Sequence, residues 1–227
     1  LEVARVSLPL PRGMAKGAPG CVSVQLAGRQ TVAQARAITT YPDGSVRRLL
    51  VSFPVEAPPG GRLDGEYGPV ASDGAVAAPA ALLQAADGGF TIAAGGHVLA
   101  VEGERLQVCT PDRGRVLAEV RAYGPGPGTA GECGVEVIES GPYFVWLRWR
   151  QEGSDYGREL DIQADSCGRI RLTQRVIRHL RNDDWTPDFG FDVALPGAQP
   201  VRWPDKPVGY LQFDPRTAFA DHPELVV

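Results

Sequence analysis

The chain has 227 residues, of which 43% are hydrophobic, with a formal net charge of −4 and a pI near 5.4. This length suits one large β domain or two small ones, and the acidic balance argues against the basic face that general nucleic-acid binding requires. No stretch approaches the roughly 18 apolar residues of a membrane span, so we expect no membrane-spanning segment. The 28 glycines and 20 prolines are spread between short apolar runs, which is typical of many strands joined by tight turns.

Short apolar and alternating runs predict about thirteen strands along the chain. They are Val3–Leu10, Val22–Leu26, Ala33–Tyr41, Val46–Val55, Phe90–Ala94, Val98–Val101, Leu106–Thr110, Val116–Tyr123, Val135–Glu139, Tyr143–Gln151, Tyr156–Ala164, Ile170–Arg178 and Phe189–Leu195. Helix signals are nearly absent, since the Ala-rich run 75–86 is interrupted by Pro79. We interpret Ala57–Gly89, rich in Gly, Pro and Ala, as the boundary between two β units, with room for one short helix. Gly124–Gly131 is interpreted as a surface loop.

The turn at Pro42-Asp43-Gly44 predicts a β-hairpin, because Pro sets φ, Asp caps its own backbone and Gly accepts a positive φ. The alternation is clearest in the run 145–150, where Val145, Leu147 and Trp149 oppose Trp146, Arg148 and Arg150. We therefore expect the two tryptophans of this run to point to opposite faces of one strand, with one of them in the core.

These elements predict an all-β protein with three parts. We expect a small N-terminal barrel-like unit over residues 1–75, an antiparallel β-sandwich over 90–198, and a tail over 199–227 that is rich in Pro and aromatic residues. Frequent prolines prevent a long helix or a central strand in the tail. The tail then either wraps over a surface or leads into a further domain.

Two segments resemble a known family. Leu8-Pro-Leu-Pro-Arg-Gly-Met-Ala-Lys-Gly17 and Gln34–Phe53, which contains Tyr-Pro-Asp-Gly-Ser-Val-Arg, are similar to the N-terminal RIFT-type β-barrel of the exo-rhamnogalacturonan lyase-like polysaccharide lyase family. A weaker similarity to the family's central β-sandwich runs from Ser140–Trp149 to Arg181-Asn182. Arg48 stands where the family often has an aromatic residue. The resemblance implies a RIFT-type barrel followed by an antiparallel sandwich, with most catalytic groups in a helical toroid that this chain lacks.

Polar and aromatic residues gather in one predicted loop. We predict a binding site there, and we add an aromatic residue of the tail; the site residues are Arg181, Asp183, Asp184, Trp185, Asp188 and Trp203. Carboxylates and amides bind paired sugar hydroxyls, while an aromatic face meets the apolar C–H surface of the ring. A calcium site is a second interpretation, because hard oxygen ligands accumulate here, although the spacing matches no EF-hand. A polar turn between two strands is the third.

Arginines recur along the last long predicted strand and beyond it, at positions 169, 171, 175, 178 and 181. Arginine forks suit the carboxylates of uronic-acid polymers, so an acidic polysaccharide or oligosaccharide is the partner that we expect. The alternative is a solvated strand face on which these arginines pair with Glu159, Asp161 and Asp165.

Histidine and cysteine spacing gives no metal motif. His97, His179 and His222 form no HxH or HExxH pattern, and no CxxC pair occurs, so we expect no bound metal or other cofactor apart from the calcium alternative. Cys21 and Cys109 lie in apolar runs and are expected to be buried thiols. A Cys109–Cys133 or a Cys133–Cys167 disulfide would fit an exported protein, which is the location that we expect, with a cytoplasmic one as the alternative.

Three functions stay open on the sequence. The first is a non-catalytic β scaffold or carbohydrate-binding region related to the lyase-like enzymes, whose catalytic domain would follow this chain. The second is a small stand-alone enzyme with a pocket lined by the Asp183–Trp185 loop and His179, since one fold can host unrelated chemistries. The third is a structural or assembly module. No residue stands out as the base that a lyase needs to remove the proton next to a uronate carboxylate.

Overall fold

The structure is a computed structural model, and it describes residues 2–16, 21–26, 29–56, 65–68, 81–86, 89–124, 130–154, 156–178, 189–197 and 201–203. The regular secondary structure of these residues consists entirely of β-strands, which confirms the all-β prediction. The strands are β1 (Glu2–Pro9), β2 (Cys21–Leu26), β3 (Arg29–Thr40), β4 (Val46–Val55), β5 (Gly65–Gly68), β6 (Leu83–Ala86), β7 (Gly89–Ala94), β8 (His97–Glu102), β9 (Arg105–Cys109), β10 (Val116–Tyr123), β11 (Ala130–Glu139), β12 (Phe144–Gly153), β13 (Tyr156–Asp165), β14 (Ile170–Arg178), β15 (Gly190–Ala194) and β16 (Val201–Trp203). Within the same residues, no helix has the length and apolar character needed to cross a membrane.

The prediction missed three short strands. They are β5, β6 and β16, which have three or four residues each and lie in the Gly/Pro/Ala-rich stretch or in the tail. The run 83–86, where a short helix was considered, is instead a strand paired with β7, while residues 75–80 lie outside the described residues. β11 begins at Ala130, five residues before the predicted start, so the end of the predicted loop Gly124–Gly131 and Cys133 both lie in a strand.

The described residues fall into two compact units. The first comprises those within Leu1–Leu82 together with Glu139–Val145 and Asp165–Cys167. The second comprises those within Leu83–Ile138, Trp146–Ala164 and Gly168–Val227.

In the first unit, a five-stranded antiparallel sheet with the order β1-β4-β3-β2-β5 curls into a half-barrel. The register brings apolar side chains onto one face, since Val51 lies opposite both Val6 and Ala35, and Ala33 lies opposite Val22. The core of this unit is formed by Leu10, Val22, Val24, Ala33, Ala35, Val46, Leu49, Val51 and Phe53. Burial of these alternate residues drives the sheet to curl around its apolar face.

The second unit is a sandwich of two antiparallel sheets. One has seven strands in the order β16-β15-β10-β9-β8-β7-β6, and the other has four in the order β11-β12-β13-β14. Both sheets contribute buried side chains, among them Ile92, Leu99, Val101 and Leu106 from the first and Leu147, Trp149, Leu160 and Ile162 from the second. Polar bonds also join the two sheets: Arg158 Nη2 donates to the carbonyl of Ala122 at 3.3 Å, and Gln174 Nε2 donates to that of Tyr123 at 2.9 Å.

The predicted turn and the predicted alternation are both present. Gly44 has a φ of +78°, and Asp43 Oδ1 accepts hydrogen bonds from the backbone N–H of Ser45 at 3.0 Å and from its hydroxyl at 2.6 Å. On β12, Val145 and Leu147 are fully buried and Trp149 is 4% exposed. Trp146, on the other face, is only partly buried, which confirms that the two tryptophans of this strand point in opposite directions.

Candidate functional site

Most of the predicted loop site lies outside the described residues. This holds for Arg181, Asp183, Asp184, Trp185 and Asp188, and therefore for the calcium alternative, and also for His179 and His222 of the enzyme alternative. The backbone of Trp203 lies in β16 opposite Phe191. Across the described ranges, no group of three or more His, Cys, Asp or Glu side chains is arranged to hold a metal ion.

A different set of polar side chains gathers on the outer face of the four-stranded sheet. We call it the arginine–tryptophan face, and its members are Glu136, Trp146, Arg148, Arg150, Glu159, Asp161, Gln163, Arg171, Thr173 and Arg175. The register of β13 and β14 places them side by side, because Glu159 lies opposite Arg175, Asp161 opposite Thr173 and Gln163 opposite Arg171. Alternation along each strand sends the neighbouring apolar residues to the core.

Asp161 lies at the centre of this face and is only 2% exposed. Arg148 grips it with two hydrogen bonds, from Nε to Oδ1 at 2.6 Å and from Nη2 to Oδ2 at 3.1 Å. Arg175 adds a third contact, with Nη1 3.0 Å from Oδ2. A two-pronged bond of this kind fixes the plane of a guanidinium, so Arg148 is held in one orientation.

Trp146 lies beside the Arg148–Asp161 pair. The guanidinium carbon of Arg148 is 5.4 Å from the centroid of the Trp146 ring, which is within the range of a cation–π contact. Because Trp146 is partly buried, part of its aromatic side chain is accessible beside the ordered guanidinium of Arg148.

The rim of the face is made of arginines that extend into solvent. Arg150 reaches Glu159 at 2.9 Å and Glu136 at 3.3 Å, and Arg175 reaches Glu159 at 3.3 Å. The side chains of Arg150 and Arg175 remain 45% and 48% exposed. Arg171 is exposed and forms no ion pair with the described residues. Four arginines therefore stand against three carboxylates, which leaves one positive charge in excess.

The contacts within this face stabilise the charged forms of both Asp161 and Arg148. Burial is the largest influence on the pKa of Asp161 and raises it, but the hydrogen bonds from Arg148 and the charges of Arg148 and Arg175 outweigh it, so this pKa lies below its ordinary value. The bond to Asp161 raises the pKa of Arg148. A carboxyl group with a lowered pKa is a weak base, so Asp161 is suited to holding arginines and not to removing a proton.

Three other carboxyl groups of the described residues have a clearly shifted pKa, and in each of them the pKa is also lowered. Hydrogen bonds from Ser45, Thr110 and Arg105 are the largest causes of the lowered pKa values of Asp43, Asp112 and Glu119, respectively. None of these groups has the raised pKa that helps a carboxylate to act as a general base near neutral pH.

In the first unit, a second polar cluster is buried around Glu139, whose side chain is 3% exposed. It is contacted by Arg5 Nη2 at 2.7 Å, Arg36 Nε at 3.2 Å and Gln34 Nε2 at 2.8 Å. Gln34 also donates to the carbonyl of Phe144 at 2.9 Å and accepts from the backbone N–H groups of Tyr143 at 3.1 Å and Phe144 at 2.9 Å. Hydrogen bonds from Arg5 and Gln34 occupy both carboxylate oxygens of Glu139, so we assign the cluster a structural role.

The two motif segments that carry the family resemblance meet at one end of the half-barrel. We call residues 10–16 and 41–48 the motif corner. Arg12 Nε lies 2.8 Å from Asp43 Oδ2, and the N–H of Gly13 donates to the hydroxyl of Ser45 at 3.0 Å. The Tyr41 hydroxyl donates to the carbonyl of Leu10 at 3.0 Å. These bonds explain locally why the two motifs occur together, since each supplies partners for the other.

The cysteine predictions are partly wrong. All four cysteines are free, so neither of the two disulfides that would fit an exported protein is present. Cys109 is buried as expected, Cys21 and Cys167 are only partly buried, and Cys133 is exposed. Cys133 lies on the edge strand β11.

The sequence left open whether the arginines of β14 bind a ligand or pair with carboxylates of the neighbouring strand. At Arg175 the pairing is confirmed. Arg175 pairs with Glu159 and Asp161, whereas Asp165 caps a turn by accepting from the backbone N–H of Cys167 at 2.9 Å. The alternation on β12 indicated that Trp146 and Arg148 face away from the core, but the sequence did not predict that Arg148 contacts both Asp161 and Trp146.

No protein-family model and no curated protein sequence matches this chain at a significant level. The arginine–tryptophan face therefore provides the geometry from which a function can be inferred, and the motif resemblance adds an expectation about the class of ligand.

Proposed function

We propose that this chain is a non-catalytic β region that binds an acidic polysaccharide through the arginine–tryptophan face, in the manner expected of a relative of the rhamnogalacturonan lyase-like enzymes. The observation that carries the proposal is the position of Trp146 next to Arg148, with Arg148 held by the buried Asp161. Such a ligand implies an exported protein.

The chemistry of the face fits a uronic-acid chain. An aromatic ring packs against the C–H face of a sugar, and arginine forks bind its carboxylates in two-pronged geometry. Arg150 on β12 and Arg175 on β14 are two strands apart, about 10 Å in backbone spacing. Their guanidinium groups nevertheless converge on Glu159, at 2.9 and 3.3 Å, so they offer adjacent cations to one stretch of a polymer, while Arg171 offers a further cation without a described partner.

The partial order of the arginines strengthens the case for binding. A free arginine loses side-chain entropy of up to about 2 kcal/mol when a ligand fixes it. Arg148, Arg150 and Arg175 already rest against carboxylates, so part of this loss has occurred on folding. Binding to these ordered arginines therefore costs less side-chain entropy than binding to flexible surface cations.

Affinity electrophoresis in gels containing polygalacturonate or rhamnogalacturonan tests the proposal. We expect the wild-type chain to be retarded, Trp146→Ala to lose about tenfold or more in affinity, and Arg171→Ala to lose about two- to fivefold. Trp146→Phe keeps an aromatic ring and should retain most of the affinity. This variant tests whether the loss of affinity in Trp146→Ala is due to the missing ring or to misfolding.

Arg105→Ala is the matched control, because Arg105 also lies in the second unit and forms an exposed ion pair, with Glu119 at 2.7 Å, but on the seven-stranded sheet. It should migrate like the wild type in every gel. Unretarded wild-type protein, or equal retardation of Trp146→Ala and the wild type, would refute the assignment of this face.

A further inference from the structure

The motif corner carries a concentration of positive charge. Arg12, Lys16, Arg47 and Arg48 are all exposed, and Asp43 is the only acidic residue in the two segments that form the corner. The corner thus has a net charge of +3 in a chain whose net charge is −4.

Within the part of the chain that the structure describes, most of this charge has no neutralising partner. Asp43 pairs with Arg12 at 2.8 Å, and both side chains are exposed, at 37% and 65%. Lys16, Arg47 and Arg48 form no ion pair with the described residues. The positive potential above the corner is therefore available to an anion from solution.

The backbone beneath these cations is tightly bonded. The N–H of Leu10 donates to the carbonyl of Arg47 at 2.9 Å, and the N–H of Val46 donates to that of Ala15 at 2.9 Å. Lys16 forms a β-bridge with Ser45. The guanidinium carbon of Arg47 lies 5.8 Å from the ring centroid of Tyr41, whose hydroxyl is in turn bonded to Leu10. The cations are thus carried by two segments that cannot separate without breaking these bonds.

We infer that the motif corner is a second site for a carboxylated polysaccharide, formed entirely by the first unit. The inference rests on the proposed function for the class of ligand, but not on the arginine–tryptophan face for its geometry. Three of the four cations are arginines, whose forks match carboxylates. A nucleic acid is the less fitting occupant, because a +3 patch on an acidic protein supplies few of the phosphate contacts that such binding needs.

The test compares Lys16→Ala/Arg47→Ala/Arg48→Ala with a matched triple variant, Arg29→Ala/Arg113→Ala/Arg115→Ala, in the same polygalacturonate gels. The control removes the same charge from exposed arginines outside the two corner segments; Arg29, for example, begins β3, whereas the corner lies beyond the other end of that strand. We expect the corner variant to lose about two- to fivefold in affinity for each cation removed, with a loss that shrinks as salt is added.

Circular dichroism checks that both triple variants are folded. Equal affinities of the two triple variants, with Trp146→Ala still impaired, would overturn the corner site and leave the proposed function intact. A weakened corner variant with an unimpaired Trp146→Ala would support the corner and overturn the face. Tighter, corner-dependent retention by single-stranded DNA than by polygalacturonate would overturn the polysaccharide as occupant.

Discussion

Asp161 provides the sharpest test of how the second unit is held together. Replacing it by asparagine keeps the shape of the side chain but removes the charge that Arg148 and Arg175 share. Asp161 is 2% exposed and the Arg148 side chain is 17% exposed, so this pair is largely withdrawn from water. Loss of one partner of a buried pair costs about 3–5 kcal/mol, and we expect Asp161→Asn to fall near the lower end because Arg148 retains some access to solvent.

Urea denaturation followed by tryptophan fluorescence measures this cost at pH 7. Glu136→Gln is the control, because the Glu136–Arg150 pair lies on the same sheet but its side chains are 55% and 45% exposed. An exposed pair of this kind contributes at most about 1 kcal/mol to the free energy of unfolding. The two variants should therefore differ by about 2 kcal/mol or more in the transition that reports the second unit.

The cost of Asp161→Asn should also depend on pH in a defined direction. The pKa of Asp161 is lowered on folding, so the stability that its charge provides is complete above the unfolded pKa, which is about 3.9. That stability is lost as the pH falls through the still lower folded pKa. The gap between the wild type and Asp161→Asn should be constant from about pH 7 to pH 5 and should narrow below about pH 4.

Equal destabilisation by Asp161→Asn and Glu136→Gln would refute this reasoning, since it would mean that burial adds nothing to the Arg148–Asp161 pair. A gap that widens on acidification would refute the assigned direction of the pKa shift.

Two further predictions concern the packing of the chain. Gln34→Ala should lower the free energy of unfolding by about 3 kcal/mol, because it leaves the buried backbone N–H of Phe144 and a carboxylate oxygen of Glu139 without their partner. Chemical denaturation measures this loss, and a value below about 1 kcal/mol would contradict the buried network. Gly89→Ala should lower the free energy of unfolding by more than about 2 kcal/mol, because an added Cβ would overlap the carbonyl oxygen of Val101. Gly44→Ala, strained only by its φ of +78°, should lower it by about 1 kcal/mol. Thermal unfolding ranks the two variants, and the reverse order would be evidence against the close approach at Gly89.

Local patterns in the sequence were sufficient to predict most of the fold. The alternation of Val145, Leu147 and Trp149 identified the buried face of β12 because a strand sends successive side chains to opposite sides. The turn at Pro42–Gly44 was predictable because each residue type meets a local requirement of backbone geometry. The strands β5, β6 and β16 were missed because three or four residues are too few to establish a period.

The candidate site was less predictable because its geometry arises between strands. Arg148 and Asp161 are thirteen positions apart, and only the pairing of β12 with β13 brings their side chains within 2.6 Å. The motif corner likewise depends on contacts such as Arg12–Asp43, which join positions 31 residues apart. Sequence indicated which faces were polar, whereas register and burial determined which polar side chains meet.

The distribution of charge explains how an acidic chain can present locally basic surfaces. Two of its carboxylates, Asp161 and Glu139, are almost fully buried, and each is contacted by two arginines. The negative charges at these positions lie beneath the surface, while arginines such as Arg150 and Arg175 extend into solvent. Since a polyanion responds to the local potential above a surface and not to the net charge of −4, the acidic balance of the composition argues only against a general basic face. It remains compatible with two local sites for a carboxylated polymer.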